Sequence, residues 1–155
     1  MTRSTLGPCA LLVGLFAGAW AFAQDPAGIE AARMALHRDR QATIAAHLTL
    51  TDDEGLGFWP VYRQYRMEMA RVGDRIVKLL TEFSAKYATL SDADATRLLD
   101  EFLSIQSSEL AIRKKYLKDF RKVIPPKKVG RFYQIENRLD AALRHELGGL
   151  IPLAE

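Results

Sequence analysis

The amino-acid sequence predicts an all-α protein, a long antiparallel helical hairpin with shorter flanking helices. Three observations carry that expectation. After residue 23, no stretch alternates apolar and polar residues as a half-buried strand must. Two long stretches repeat apolar residues at alternating steps of four and three, the 3.5-residue period of a helical seam. Only Ala88-Thr89-Leu90 separates those stretches, and so short a link makes the two helices antiparallel neighbours.

The first residues stand apart from the fold. Thr2-Arg3-Ser4 gives a positive start, Leu11 to Ala21 is an apolar run, and Ala21-Phe22-Ala23 is a small-x-small cleavage site. This is the layout of a secretory signal peptide, and the run is shorter than the roughly 20 apolar residues of a membrane span. The expected organisation is a signal over 1–23 and one all-helical domain over 24–155, with no stable membrane anchor after cleavage. Of 155 residues only Cys9 is a cysteine, so the exported chain would have no disulfide, thiol redox pair or cysteine nucleophile. Cys9 also precedes most of the apolar run, whereas a lipid-attached cysteine would follow it. Removing the signal takes away one cation, Arg3, and no acid, so a formal charge of +3 becomes +2. In an exported protein, mild basicity points to anionic surfaces or acidic polypeptides rather than to nucleic acid.

Asp25-Pro26 is a helix start, with Asp as the cap and Pro at the first position. Ile29, Leu36, Ile44 and Leu48 then give a weakly amphipathic helix to about His47. Leu50-Thr51-Asp52-Asp53-Glu54 is a stronger start, because Thr51 and Glu54 can form a capping box and the acids suit the positive end of the helix dipole. Phe58, Tyr62, Tyr65, Met69, Val72, Ile76, Leu79 and Phe83 then form a seam that carries the helix to about Tyr87. Pro60 should kink its first turns, and Gly55 and Gly57 loosen them. Ser91-Asp92-Ala93-Asp94 caps the next helix, whose seam reads Leu98, Phe102, Ile105, Ile112, Tyr116, Phe120 and Val123, with Glu109 as its charged interruption. Pro125-Pro126 ends it. Pro126 opens a last helix through Phe132, Ile135, Leu139, Leu143 and Leu147, which Gly148-Gly149 stops. At about 1.5 Å per residue the central arms would each be roughly 50 Å long. One chain cannot wrap so much seam, and a homodimer is expected.

Leu50-Thr51-Asp52-Asp53-Glu54, opening a long helix, resembles the LTxxQ motif of the Spy/CpxP family of periplasmic proteins. Ile124-Pro125-Pro126-Lys127-Lys128, followed by Phe132-Tyr133-Gln134-Ile135-Glu136, stands where that family's second such motif opens the last helix. The resemblance runs from about Arg38 to the C-terminus, alongside the export signal. Glu54 and Lys128 occupy fifth positions where the family usually has Gln, and Pro125 stands in place of Thr, so the chain looks like a divergent branch. The motif positions are Leu50, Thr51, Glu54, Ile124, Pro125 and Lys128. The resemblance implies a cradle-shaped, antiparallel, all-helical dimer in the periplasm. Well-known members of the family bind unfolded or aggregating proteins without ATP, and others restrain an envelope-stress sensor kinase or bind metals.

The metal possibility is weak on the residues. His37 and His47 are ten apart, without the i, i+4 spacing that sets two imidazoles on one ion, and His145 is remote. Met67 and Met69 do not share a helical face, and Met69 belongs to the seam. No metal, cofactor or catalytic residue is assigned, since no nucleophile elbow or Gly-rich phosphate loop is present.

The distinctive feature is a basic cluster. Arg113, Lys114, Lys115, Lys118, Arg121 and Lys122, continued by Lys127, Lys128 and Arg131, are interrupted by one acid, Asp119. It reads either as a solvated face near a helix C-terminus or as a positive rim that captures unfolded chains. Phe58, Trp59 and Tyr62 either close one end of the core or form an exposed aromatic patch. Beside these readings, what the resemblance implies is an ATP-independent periplasmic chaperone acting on unfolded proteins. The alternatives are a regulatory ligand of a sensor-kinase domain and, third, a metal-binding sensor.

Overall fold

The computed structural model describes residues 39–148, with side chains over 39–144. The signal over 1–23 with Cys9, the helix start at Asp25-Pro26, His37, Gly149 and the side chains of His145 and Leu147 lie outside the described residues. The chain divides into two compact units, Met1–Thr43 and Ile44–Glu155. Residues 39–43 of the first are helical, and the Thr43 hydroxyl donates to the Asp39 carbonyl at 2.8 Å. Helix continues to residue 47 (α1, residues 39–47), and the second unit adds α2 (Asp52–Lys86), a 3₁₀ turn (Tyr87–Thr89), α3 (Asp92–Val123) and α4 (Pro126–Gly148). Among the described residues there is no strand, so the class is all-α.

Each boundary has a local cause. At the start of α2 the Thr51 N–H donates to Glu54 Oε2 at 2.8 Å, and the Glu54 N–H donates to Thr51 Oγ1 at 3.3 Å, completing the capping box. Ser91 Oγ accepts from the Asp94 N–H at 3.1 Å at the start of α3. The Ile124 N–H still reaches the Phe120 carbonyl at 3.0 Å, where α3 ends. The Pro125 carbonyl then accepts from the N–H groups of Lys128 and Val129 at 2.9 and 3.0 Å, which makes the first turn of α4. Pro126 suits that start because its missing N–H would have had no helical partner.

Helix α2 continues through Pro60, which is exposed. Gly57 does more than loosen it. A Cβ there would stand 3.0 Å from Val123 Cβ, so glycine permits the close approach of α2 to the end of α3. Contacts between α2 and α3 pair 57 with 123, 68 with 115 and 116, 75 with 101, 82 with 97, and 86 with 94. The later a residue stands in α2, the earlier its partner stands in α3.

Two apolar clusters hold the second unit. Ile44, Leu48, Phe58, Tyr62, Tyr65, Met69, Tyr116, Phe120, Ile124, Val129 and Phe132 form the larger, drawn from all four helices and the links between them. At its centre Phe58, Phe120 and Phe132 have ring centroids 4.6–5.4 Å apart. Tilted and edge-on ring pairs of this kind add about 0.5–1.5 kcal/mol each beyond burial. Val72, Leu79, Leu98 and Ile105 form the smaller cluster, between α2 and α3 alone.

Two expectations need correction, and one core residue has no expectation behind it. Phe102 is not buried in the seam: it is 45% exposed, although it stands one turn before the buried Ile105. Phe58 and Tyr62 form no exposed patch, because both are buried against Phe132 and α3, with Trp59 half-buried beside them. Glu136, quoted above only within a motif, is 0% exposed in the core.

Candidate functional site

The two long helices carry different chemistry on either side of their buried seam. In α3, Arg97, Glu101, Ser104 and Ser108 share one side by steps of four, three and four. Arg75 of α2 donates to Glu101 through Nε and Nη2 at 3.0 and 3.1 Å, to Ser104 Oγ at 2.9 Å and to Ser108 Oγ at 3.0 Å. Arg97 pairs with Glu82, and Lys86 with Asp94 at 2.6 Å. Further along, Lys115 Nζ and the Tyr116 hydroxyl donate to Glu68 Oε1 at 2.6 and 2.8 Å. This side is a ladder of cross-helix ion pairs around an open groove of about 520 Å³. Arg75 with Glu101 and Arg97 with Glu82 engage one another across it, and its serines receive N–H groups of Arg75 instead of facing a base.

The ion pairs leave their mark on titration. Lys115 and then Tyr116 hold the Glu68 carboxyl below its ordinary range. Lys86 does the same to Asp94, and Arg75 to Glu101. Burial and the bond to Glu68 push the Tyr116 hydroxyl up to about 12.

On the other side α4 covers part of the seam. Phe120 packs on Phe132 and Tyr133, and the Tyr133 hydroxyl donates to the Arg113 carbonyl at 2.9 Å. Arg113 pairs with both Glu109 and Asp140, and Arg144 pairs with Glu109 at 3.0 Å. In the core beneath, Glu136 accepts from the Tyr65 hydroxyl at 3.2 Å and from Arg66 at 3.4 Å. Burial, then the neighbouring Glu136, pushes the Tyr65 hydroxyl well above its ordinary value.

Past the stretch of α3 paired with Asp140 and Arg144, the same side exposes an apolar stripe. Leu99, Phe102, Leu103 and Leu110 are 57, 45, 53 and 52% exposed. Their steps of three, one and seven place them on one helical face. Counting two and three heptads on from Leu99 reaches Arg113 and Phe120, both of which face α4.

The basic cluster divides on this frame. Arg113 bonds with Glu109 and Asp140, Lys115 with Glu68, and Lys122 with Asp119 at 2.7 Å. Lys114, Lys118 and Arg121 are exposed and make no ion pair with any described residue. Leu103, Leu110, Lys114 and Arg121 follow one another by seven, four and seven, so cations extend the apolar stripe along one face. The stripe itself went unread in the sequence, although Leu103, Leu110 and Leu117 repeat every seven residues beside the buried seam.

The motif residues are structural here. Leu50 is half-buried against the larger cluster, Thr51 caps α2, Ile124 is buried, and the Pro125 carbonyl starts α4. Glu54 and Lys128 form an ion pair. Beside them Lys127, Lys128, Arg131 and Gln134 border a second open groove of about 650 Å³ with Leu48 and Thr49, where Arg131 Nε donates to the His47 carbonyl at 2.6 Å. Met69 is buried and Met67 exposed. Among the described residues no three His, Cys, Asp or Glu side chains gather as a metal set, and no helix is long and apolar enough to cross a membrane.

No protein-family model matches the chain, and comparisons with curated proteins and with solved structures find no match either.

Proposed function

We propose that this chain is an exported, ATP-independent chaperone of the Spy/CpxP type, which holds unfolded or aggregation-prone envelope proteins in the periplasm. In this reading α2 and α3 form a long antiparallel hairpin, and two chains associate through it as a homodimer. One observation carries the reading: the exposed apolar stripe Leu99–Phe102–Leu103–Leu110 runs into three cations, Lys114, Lys118 and Arg121, that make no ion pair with any described residue. Such a face suits a partner with no fixed shape. Long-range attraction raises the rate of encounter with acidic chains, and apolar contact then slows their departure. Long Lys and Arg stems adapt to many sequences.

The test is aggregation of an acidic, chemically unfolded client in the presence of substoichiometric purified protein without ATP. Suppression supports the proposal. Changing Lys114, Lys118 and Arg121 together to Gln should leave the melting temperature nearly unchanged, because no ion pair with a described residue is lost. It should slow capture and flatten the salt dependence of the on-rate, since attraction is screened beyond about 10 Å at 0.1 M salt. Inactivity in aggregation, together with a saturable one-to-one complex with a periplasmic sensor domain, would replace the chaperone with the regulatory ligand. A folded monomer at micromolar concentration in sedimentation would overturn the dimer.

A further inference from the structure

The two open grooves differ in charge. Around the first, Arg75, Lys78 and Arg97 are matched by Glu82, Asp100 and Glu101. The second is bordered by Lys127, Lys128 and Arg131, with no acid among the described residues that line it. Lys128 is taken up by Glu54. Lys127 is exposed and makes no ion pair with any described residue.

Arg131 is held in a way that leaves its charge available. Its Nε donates to the His47 carbonyl at 2.6 Å, while its Nη groups bond to no described residue. That one bond orients the planar guanidinium before any ligand arrives, so less freedom is lost when an oxyanion meets its outer N–H groups. Gly130 beside it keeps the approach open, since a Cβ there would meet no atom within 4 Å.

The basic surface continues along α4. Lys127, Arg131, Gln134 and Arg138 follow one another by four, three and four and so share one face. Arg138 is exposed and makes no ion pair with any described residue. The acids of this stretch point elsewhere, Glu136 into the core and Asp140 to Arg113.

The spacing of these cations fits a chain better than a single ion. At 1.5 Å per residue Lys127 and Arg131 stand about 6 Å apart along α4, and Arg138 about 10 Å further. In an extended peptide alternate side chains face one way and recur about every 7 Å. Two acidic side chains on one face of such a peptide therefore meet Lys127 and Arg131 together, and a later one meets Arg138.

We infer that the groove at the start of α4 binds an extended acidic peptide, with Lys127 and Arg131 taking its carboxylates and Arg138 lengthening the track. The groove is separate from the apolar stripe of α3. Because binding is a property of the purified chain, the inference can hold or fail independently of the proposed chaperone activity.

Titration calorimetry with a short, end-capped peptide of alternating Glu and Ala is the test. The chain should bind it saturably at low salt and should not bind the matching Gln–Ala peptide. Lys127→Gln with Arg131→Gln should weaken binding about tenfold or more, as expected when charge-assisted hydrogen bonds are lost. Lys114→Gln with Arg121→Gln removes the same charge from α3 and should weaken it less than about threefold, because salt screens charges outside the groove. Since Arg131 also bonds to its own chain, a second pair of variants leaves that bond in place. Gly130→Ala should bind like the unmodified chain, whereas Gly130→Glu sets a carboxylate in the groove and should abolish binding at an undiminished melting temperature. Absence of saturable binding would overturn the inference, and so would unchanged binding by Gly130→Glu. Equal losses from the two double variants would overturn it by leaving only a general positive field. Inorganic phosphate that binds at Lys127 and Arg131 where the peptide does not would overturn it in favour of a small-anion site.

Discussion

Glu54 and Lys128 stand at corresponding places in the two segments that open α2 and α4, and across 74 residues of chain they form an ion pair. Glu54 also closes the capping box with Thr51. One carboxyl group therefore caps the start of α2 and ties it to the start of α4. Lys128, then the backbone of Thr51, hold it below its ordinary range.

This relationship predicts a charge-swap pattern. Glu54→Lys and Lys128→Glu should each lower the melting temperature, because each places like charges side by side. The double exchange should recover the part due to Lys128 but not the part due to the cap. Thr51→Ala, which removes only the cap, should cost about 1 kcal/mol, with Thr51→Ser close to wild type. Chemical denaturation of the five variants measures both contributions.

The buried Glu136 should behave very differently from a surface carboxyl. Tyr65→Phe removes a hydroxyl that donates to it and should cost about 1.5–3 kcal/mol, the range for hydrogen bonds to charged groups. Glu136→Ala should cost about 3–5 kcal/mol, since it leaves Arg66 without its carboxyl partner and opens space in the core. The two effects should fall short of adding, with a coupling above about 0.5 kcal/mol in a double-mutant cycle. Additive losses would mean that the bond carries no energy of its own.

The two phenylalanines of α3 separate core from surface. Phe120→Ala should cost about 3–5 kcal/mol, because its ring lies among those of Phe58, Tyr65 and Phe132. Phe102→Ala should cost under about 1 kcal/mol, as expected of an exposed position. Thermal unfolding of the two variants checks the contrast.

Stability should have a plateau bounded on both sides by linked titrations. Glu54, Glu68, Asp94 and Glu101 titrate lower in the fold than their ordinary 4.5, or 3.8 for Asp94. The stability they contribute is complete above those values and is lost as pH falls through them toward the folded values. Tyr116 and Tyr133 are pushed up from 10 to about 12, chiefly by burial. Between those values the unfolded chain loses the proton and the folded chain keeps it, so stability falls as pH rises above 10. Melting temperatures should be flat near neutrality, drop below about pH 4.5 and drop again above pH 10. Glu68→Gln should weaken the acid-side slope.

What the sequence determined by itself was local. Thr51 with Glu54, Ser91 with Asp94, and Pro125-Pro126 mark helix boundaries because capping bonds and missing N–H groups act within a few residues. The seam of Phe58, Tyr62, Tyr65, Met69, Val72 and Leu79 was legible because apolar periodicity reports the buried face of a long helix. The period does not say how many neighbours a helix has. Phe102 fits the seam by spacing, yet it is exposed, while Phe120 further along the same helix is packed between α2 and α4. The same limit governs charge. Arg113, Lys115 and Lys122 look like Lys114, Lys118 and Arg121 in sequence, but for Arg113 and Lys115 only the packed neighbours supply the ion pairs with Asp140 and Glu68. Glu136 shows it most clearly. A charged residue can occupy the core only where distant groups satisfy it, and Tyr65 and Arg66 come within reach because α2 and α4 fold together, not because the chain places them near.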